Sequence, residues 1–476
     1  MQNKNTQEKS MQENHTQAKG AYSRTNGDVR ALPRSEQEFV SKEAFAAKAA
    51  FVLEKARALG ATDAKVYLSE TQSVNLEVRD QQVEHLGFER DHGMSVTVYR
   101  GQQCGSATAS DWSESALSRA VQMAYQMSQF SQPDPYLGIA EDHHHATPRD
   151  LQRYCPWDIS LDEMATLAKR MENASKTDKR IVNTDGASIS SSHSAYLYAD
   201  SRGRSYFEAS TDHGMTCVPI AQDEAGLIRG YDYTVDCRPD RLLSPETIGE
   251  NAAKMAISNL GGRPIKTQRL TVVFDALVAA SYWGAYCRAI SGRLLYRKES
   301  FLGECQGKAI FPHFVQLEEN PFIIGDRCAG WFDEEGLPTR EATLIQDGTA
   351  QQYLLDLYSA RRMNLAPTGH GGGVHRCFVT PTHTSQAALL KEVGSGLLVT
   401  EFMGGYPNFM TGDYSRGVSG FWFEGGIIQY PVKTVTLAGN MKDLFAGCIG
   451  IANDLNTRSG IVTGSVAMEG FTLAGI

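Results

Sequence analysis

The stretch Phe88-Glu89-Arg90-Asp91-His92-Gly93-Met94 returns later in the chain as Phe207-Glu208-Ala209-Ser210-Thr211-Asp212-His213-Gly214-Met215. The shared Asp-His-Gly-Met core marks matching places in two successive modules. In the first module Phe39, Val40, Phe45, Ala49, Val52, Leu53 and Ala56 recur at helical spacing, with Gly60 as the stop. Ser35 and Glu38 are spaced as a capping box at its start. The period then changes to two through Val66–Leu68, Val74–Val78 and Met94–Tyr99, which predicts three half-buried strands. A second helix follows with Ser113 as its N-cap. The order repeats with a helix from Leu161 to about Ala174 and strands near Ala187–Ser192, Ala195–Ala199 and Ser205–Ser210. A last helix lies near Pro245–Leu260. No nucleophile neighbours either Asp–His pair, so each tetrapeptide reads as a turn in which Asp caps and Gly supplies a positive φ.

Residues 1–36 are dominated by polar side chains and read as a disordered tail, because they carry too little apolar surface to offset the entropy of ordering. Residues 37–260 form the duplicated helix/three-strand/helix unit. Residues 261–476 are rich in Gly and short apolar runs, which predicts a mostly antiparallel β-rich domain, interrupted by helices near Val278–Ser291 and Thr384–Val393. The fold class expected is α+β.

The chain has 476 residues, of which 41% are hydrophobic and 21% charged, an ordinary globular balance. Its net charge of −9 repels phosphate backbones, so nucleic acid is not an expected partner. Nine cysteines are too sparse for a disulfide scaffold, and none forms a C-x-x-C pair. There is no secretory leader pattern, and no apolar run reaches the ~18 residues of a membrane span. A soluble, cytoplasmic protein with no membrane partner is expected.

Standard catalytic strings are mostly missing: there is no H-E-x-x-H, no G-x-S-x-G and no phosphate-loop Lys-Ser/Thr after Gly369–Gly373. His143-His144-His145 sits in a Pro-containing loop and reads as exposed. His370, His375, Cys377 and His383 carry zinc-ligating side chains but fit no standard zinc spacing. They leave open a self-contained metallohydrolase built on His370, His375 and Cys377.

The C-terminal string Thr411-Gly412-Asp413-Tyr414-Ser415-Arg416-Gly417-Val418-Ser419-Gly420-Phe421-Trp422 leads into Gly425-Gly426-Ile427-Ile428-Gln429-Tyr430-Pro431-Val432, then Leu437-Ala438-Gly439-Asn440-Met441 and Asn453-Asp454. With Ala289–Gly292, Leu295–Leu302, Phe332–Gly336, Ser359–Arg362 and Thr368–His370, it closely resembles the PmbA/TldE branch of the TldD/PmbA peptidase family, historically called modulators of DNA gyrase. The resemblance runs from about residue 40 to the end.

The TldD branch carries an H-E-x-x-x-H zinc motif just before a Gly-Leu-Glu-Gly segment. Here Ala289-Ile290-Ser291-Gly292 takes that segment's place, so the motif falls on Trp283 to Arg288. The resemblance therefore implies degenerate metal positions at Trp283, Gly284 and Arg288, with no catalytic or metal-binding residue and no cofactor in this chain. It implies a heterodimer in which a TldD-like subunit supplies the zinc, with a homodimer as the alternative when alone. A peptide is the implied substrate, and Tyr414, Ser415 and Arg416 are the expected groove residues. A protein-binding regulator is the further alternative that the family's older name suggests.

Overall fold

The computed structural model of the chain describes Phe39, residues 41–224 and residues 226–475. The expected tail and the Ser35–Glu38 capping box lie outside the described residues. Helix α1 spans Lys42–Ala58 and is capped by Ser41, whose Oγ accepts from the Ala44 amide at 3.2 Å. Phe45, Ala49, Val52 and Ala56 form its buried face. Gly60 ends it with a φ of +94°.

The expected pair of short strands before residue 80 is one 17-residue strand, β1 (Asp63–Arg79). Polar Ser69–Ser73 interrupt its apolar pattern without breaking the ladder, because the sheet continues on both sides. A tight turn at Asp80 and Gln81, both at positive φ, leads into β2 (Gln82–Arg100), then β3 (Gln103–Ala109) and α2 (Glu114–Phe130). The turn carries no Asn-Gly signal. It is held from outside by the buried Glu172 carboxylate, which accepts from the Asp80 and Gln81 amides at 2.7 and 2.8 Å. Glu172 lies on α3 (Leu161–Ser175), which starts at a capping box between Ser160 and Glu163. The second module continues with β4 (Ile181–Asp200), β5 (Ser205–Asp223), β6 (Gly226–Arg229), β7 (Asp232–Asp236) and α4 (Pro245–Ser258).

All seven strands form one sheet, in the order β3-β2-β1-β4-β5-β6, with β7 also paired to β5. The β1–β4 seam is antiparallel and relates the two hairpins β1–β2 and β4–β5. The two Asp-His-Gly-Met tetrapeptides occupy equivalent places, each inside the second strand of its hairpin. They are strand residues rather than the expected turns, and neither Gly93 nor Gly214 has a positive φ. At both places the glycine lies close against a serine of the neighbouring strand. Gly93 faces Ser69 and Gly214 faces Ser190, and an added Cβ would lie 2.6 and 3.1 Å from the opposing hydroxyls.

In the C-terminal half, β8 (Gln268–Phe274), β13 (Ser395–Met403), β14 (Asp413–Glu424), β15 (Ile427–Asn440) and β18 (Val466–Ala474) pair in a ring, closed by β15 against β18. Strand β16 (Cys448–Ile451) extends β18. Pairing in the ring is antiparallel except between β13 and β8. A second sheet joins β11 (Thr349–Ala350), β10 (Ala342–Gln346), β9 (Leu317–Glu319), β12 (Cys377–Val379) and β17 (Ile461–Val462).

The expected helix near 278–291 is α5 (Ala276–Ala289), capped by Asp275. Short helices α6 (Gly292–Tyr296) and α7 (Leu357–Met363) follow, and the helix expected at 384–393 is α8 (Gln386–Val393). Helix α9 (Met441–Ala446) completes the set. Trp283, Tyr286, Phe311 and Phe445 fill the core between α5 and the strands, with Phe311 and Phe445 centroids 4.7 Å apart. Ion pairs join the two halves of the chain: Arg327 to Asp212 at 2.7 Å, Arg361 to Glu141 at 2.8 Å and Arg458 to Asp232 at 2.6 Å. Among the described residues, no helix is long and apolar enough to cross a membrane.

Candidate functional site

Helix α5 runs past the end of the ring formed by β8, β13, β14, β15 and β18, and between them opens a cavity of about 460 Å³. Gly284 and Arg288, one helical turn apart, line its α5 wall, and Tyr414 and Arg416 line its β14 wall. Residues two apart on a strand share a face, which is why Tyr414 and Arg416 enter together while Ser415 points to solvent. Trp283 does not line the cavity. It is fully buried, and its indole Nε1 donates to Thr463 Oγ1 at 3.0 Å. Of the six residues that the resemblance points to, four therefore converge on one cavity and two do not.

The walls are largely aromatic and aliphatic, with Phe274, Tyr282, Phe409 and Phe471 among them. Among the described residues, Arg288 and Arg416 bring two guanidiniums to the lining and no carboxylate joins them there. Arg416 lies 4.0 Å from the Phe402 ring centroid, and Arg288 lies 5.2 Å from that of Phe409. Neither forms an ion pair among the described residues. Arg416 Nε and the Tyr414 hydroxyl are buried without hydrogen-bond partners. The two side chains adjoin without good hydrogen-bond geometry, and burial pushes the Tyr414 hydroxyl up to about 12 against the charge and polar contact of Arg416, so it stays neutral at pH 7.

His375 also lines the cavity and joins it to a buried polar cluster. Its Nδ1 is 3.2 Å from Glu319 Oε1, and His370 Nε2 is 2.7 Å from Glu319 Oε2. Burial alone would raise the Glu319 carboxyl, but the two histidines outweigh it and bring it down to about 2. His370 Nδ1 is engaged with Thr368 Oγ1 at 2.8 Å. Cys377 sits across the ladder from Glu319, and burial pushes its thiol well up. His383 is elsewhere, between Thr382 and Glu392, at 2.8 Å from each. Among the described residues, no group of three or more His, Cys, Asp or Glu side chains is placed to hold a metal ion.

Phe409 and Cys328 line the cavity without having been singled out in the sequence, whereas His375 was singled out there as a candidate metal ligand. They lie on loops far apart in the chain, where no periodicity could join them. The only local hint was the His370–Cys377 cluster.

Fold and site define an α+β protein with a small closed β ring whose end holds an aromatic cavity flanked by arginines. Residues 64–128 match domain 1 of the PmbA/TldA metallopeptidases, residues 154–260 their central domain and residues 267–475 their C-terminal domain. The chain belongs to the PmbA/TldD metallopeptidase family. It is 38% identical to Metalloprotease PmbA of Escherichia coli O157:H7, over 87% of this chain and 92% of that protein. It is 37% identical to the Metalloprotease PmbA homolog of Haemophilus influenzae, over 89% and 95%. Identity to the Metalloprotease TldD homolog of Buchnera aphidicola is 21%, over 79% and 82%. The fold matches that of TldE from Thermococcus kodakarensis with a TM-score of 0.76 at 18% identity, covering 90% of this chain and all (100%) of that one. A Bacteroides thetaiotaomicron protein described as a candidate modulator of DNA gyrase superposes with a TM-score of 0.85 at 23% identity, over 93% and 100%.

Proposed function

We propose that this chain is the PmbA/TldE-type subunit of a two-protein metallopeptidase, which shapes a peptide-binding surface while a TldD-like partner supplies the zinc and the hydrolytic chemistry. The single observation that carries this reading is the side-chain chemistry on α5. At the positions that the family resemblance gives to the metal motif stand Trp283, Gly284 and Arg288. An indole N–H is a donor only, a guanidinium stays charged, and glycine has no side chain, so these residues do not fit a zinc ion. Trp283 is further committed to Thr463 in the core.

The nearby histidines are engaged by neighbouring side chains, His375 through its Nδ1 to Glu319. His370 is held at both ring nitrogens, by Glu319 and Thr368, and His383 at both by Glu392 and Thr382. The Cys377 thiol is buried and raised, away from the thiolate form that a metal needs.

What remains on the cavity wall suits binding rather than bond cleavage. Gly284 leaves open space where a side chain would project, since nothing lies within 4 Å of an added Cβ. Tyr414 and Arg416 present donors to that space. Their role in the pair is to hold a small or unfolded peptide while the partner's metal acts on it. The test is a cleavage assay with an unfolded peptide, run with each protein alone and with the two mixed. Activity in the mixture only supports the division of labour.

A further inference from the structure

The cavity between α5 and β14 has a polar end with no partner of its own. Tyr414 is 7% exposed and its hydroxyl has no hydrogen-bond partner, and the neighbouring Arg416 Nε is buried and equally unsatisfied. Buried donors left unpaired are costly, so they indicate an acceptor that completes them. Half-buried Arg416, which forms no ion pair among the described residues, points to an anionic acceptor, and the exposed Arg288 adds a second positive charge to the lining.

The rest of the cavity specifies what is attached to that anion. The walls are rings and aliphatic groups, and the volume of about 460 Å³ is of the size that takes a small ligand. A strongly hydrated phosphate or sulfate gains nothing from such walls. A carboxylate on a large apolar group satisfies both ends. Tyr406 lines the cavity at 82% exposure, and Met410, next in the chain to the lining residue Phe409, is 62% exposed, so a longer chain can continue outward there.

We propose that this cavity captures the C-terminal residue of a peptide, with its carboxylate on Arg416 and Tyr414 and its large apolar side chain against the aromatic wall. The peptide nature of the ligand rests on the function proposed above. Arg288, across the cavity, adds long-range attraction to the same charge.

The full-length chain without any partner is titrated calorimetrically with an acetylated hexapeptide ending in phenylalanine, as free acid and as C-terminal amide, and with decanoate. The free acid is expected to bind about tenfold or more tighter than the amide, as loss of charge-assisted hydrogen bonds requires. Arg416→Leu and Tyr414→Phe are expected to shrink that ratio toward one, and Arg416→Lys to recover part of it. Equal binding of acid and amide by the unaltered chain, or no saturable binding of either, overturns the proposal without reference to any variant. Decanoate binding as tightly as the peptide acid assigns the cavity to a free amphiphile and overturns the peptide assignment. Cleavage by the mixed proteins is a separate readout. Peptide-acid capture without cleavage in the mixture defeats the subunit role alone, and cleavage without acid selectivity defeats the capture alone.

Discussion

Trp283 and Thr463 meet through an indole N–H to hydroxyl hydrogen bond of 3.0 Å, with both residues fully buried. Trp283, which the family resemblance sets at the first position of the metal motif, thus belongs to the core of this chain. The next ones, Gly284 and Arg288, face a cavity. That split separates what residue 283 does for stability from what its neighbours do at the site.

Trp283→Ala removes a large side chain from a packed aromatic cluster and leaves the Thr463 hydroxyl without its donor. The expected loss is about 3–5 kcal/mol of unfolding free energy, read by chemical denaturation.

The purified chain is expected to hold no stoichiometric zinc at Trp283–Arg288. Elemental analysis checks this directly. About one tightly held zinc per chain contradicts it and moves attention to His370, His375 and Cys377.

Glu319 has a folded-state pKa of about 2, below its ordinary 4.5. Its contribution to stability is complete above pH 4.5 and is lost as pH falls toward 2, because only the unfolded state takes up the proton in that window. Glu319→Gln leaves His370 and His375 without their acceptor charge. The expected cost is about 3 kcal/mol at pH 7, with a flatter stability profile between pH 4.5 and 2, measured by denaturation across pH.

Asp333 shifts the other way, up to about 7, through burial first and then the neighbouring Glu335. The folded state keeps a proton that the unfolded state releases, so this group's contribution to stability falls as pH rises from about 4 to 7. Asp333→Asn is expected to remove that fall. The same pH series reads it as a difference from the unaltered chain.

Gly105 and Gly230 each lie against the backbone of a helix. An added Cβ at Gly105 would be 2.2 Å from the Ala124 carbonyl on α2, and one at Gly230 would be 2.4 Å from the Ala252 carbonyl on α4. Alanine at either position forces its helix off the sheet. Each substitution is expected to cost about 1–3 kcal/mol, seen as a lower denaturation midpoint.

The duplicated tetrapeptide was legible because both copies share one local setting, a glycine opposite a serine on the neighbouring strand. What it signified was not legible, since a Gly beside an Asp reads equally as a turn. The joining of Val66–Leu68 to Val74–Val78 in one strand was hidden for a related reason. A strand paired on both sides carries polar Thr71 and Gln72 without fraying, and the pairing partners lie far along the chain. Gly284, Arg288, Tyr414 and Arg416, which the family resemblance pointed to, lie on two regular elements, α5 and β14, that wall one cavity. Phe409 and Cys328 were not singled out, because only the tertiary fold brings their loops to the cavity.

The division of labour between two related proteins is the claim with most at stake, and one assay addresses it. An unfolded peptide is incubated with this chain, with a TldD-like protein from the same source and with an equimolar mixture, each with and without a chelator. The expected result is efficient cleavage only in the mixture, abolished by the chelator, with Trp283, Gly284 and Arg288 unaltered. Full cleavage by this chain alone, abolished by chelator, would contradict it and make this chain the catalytic subunit.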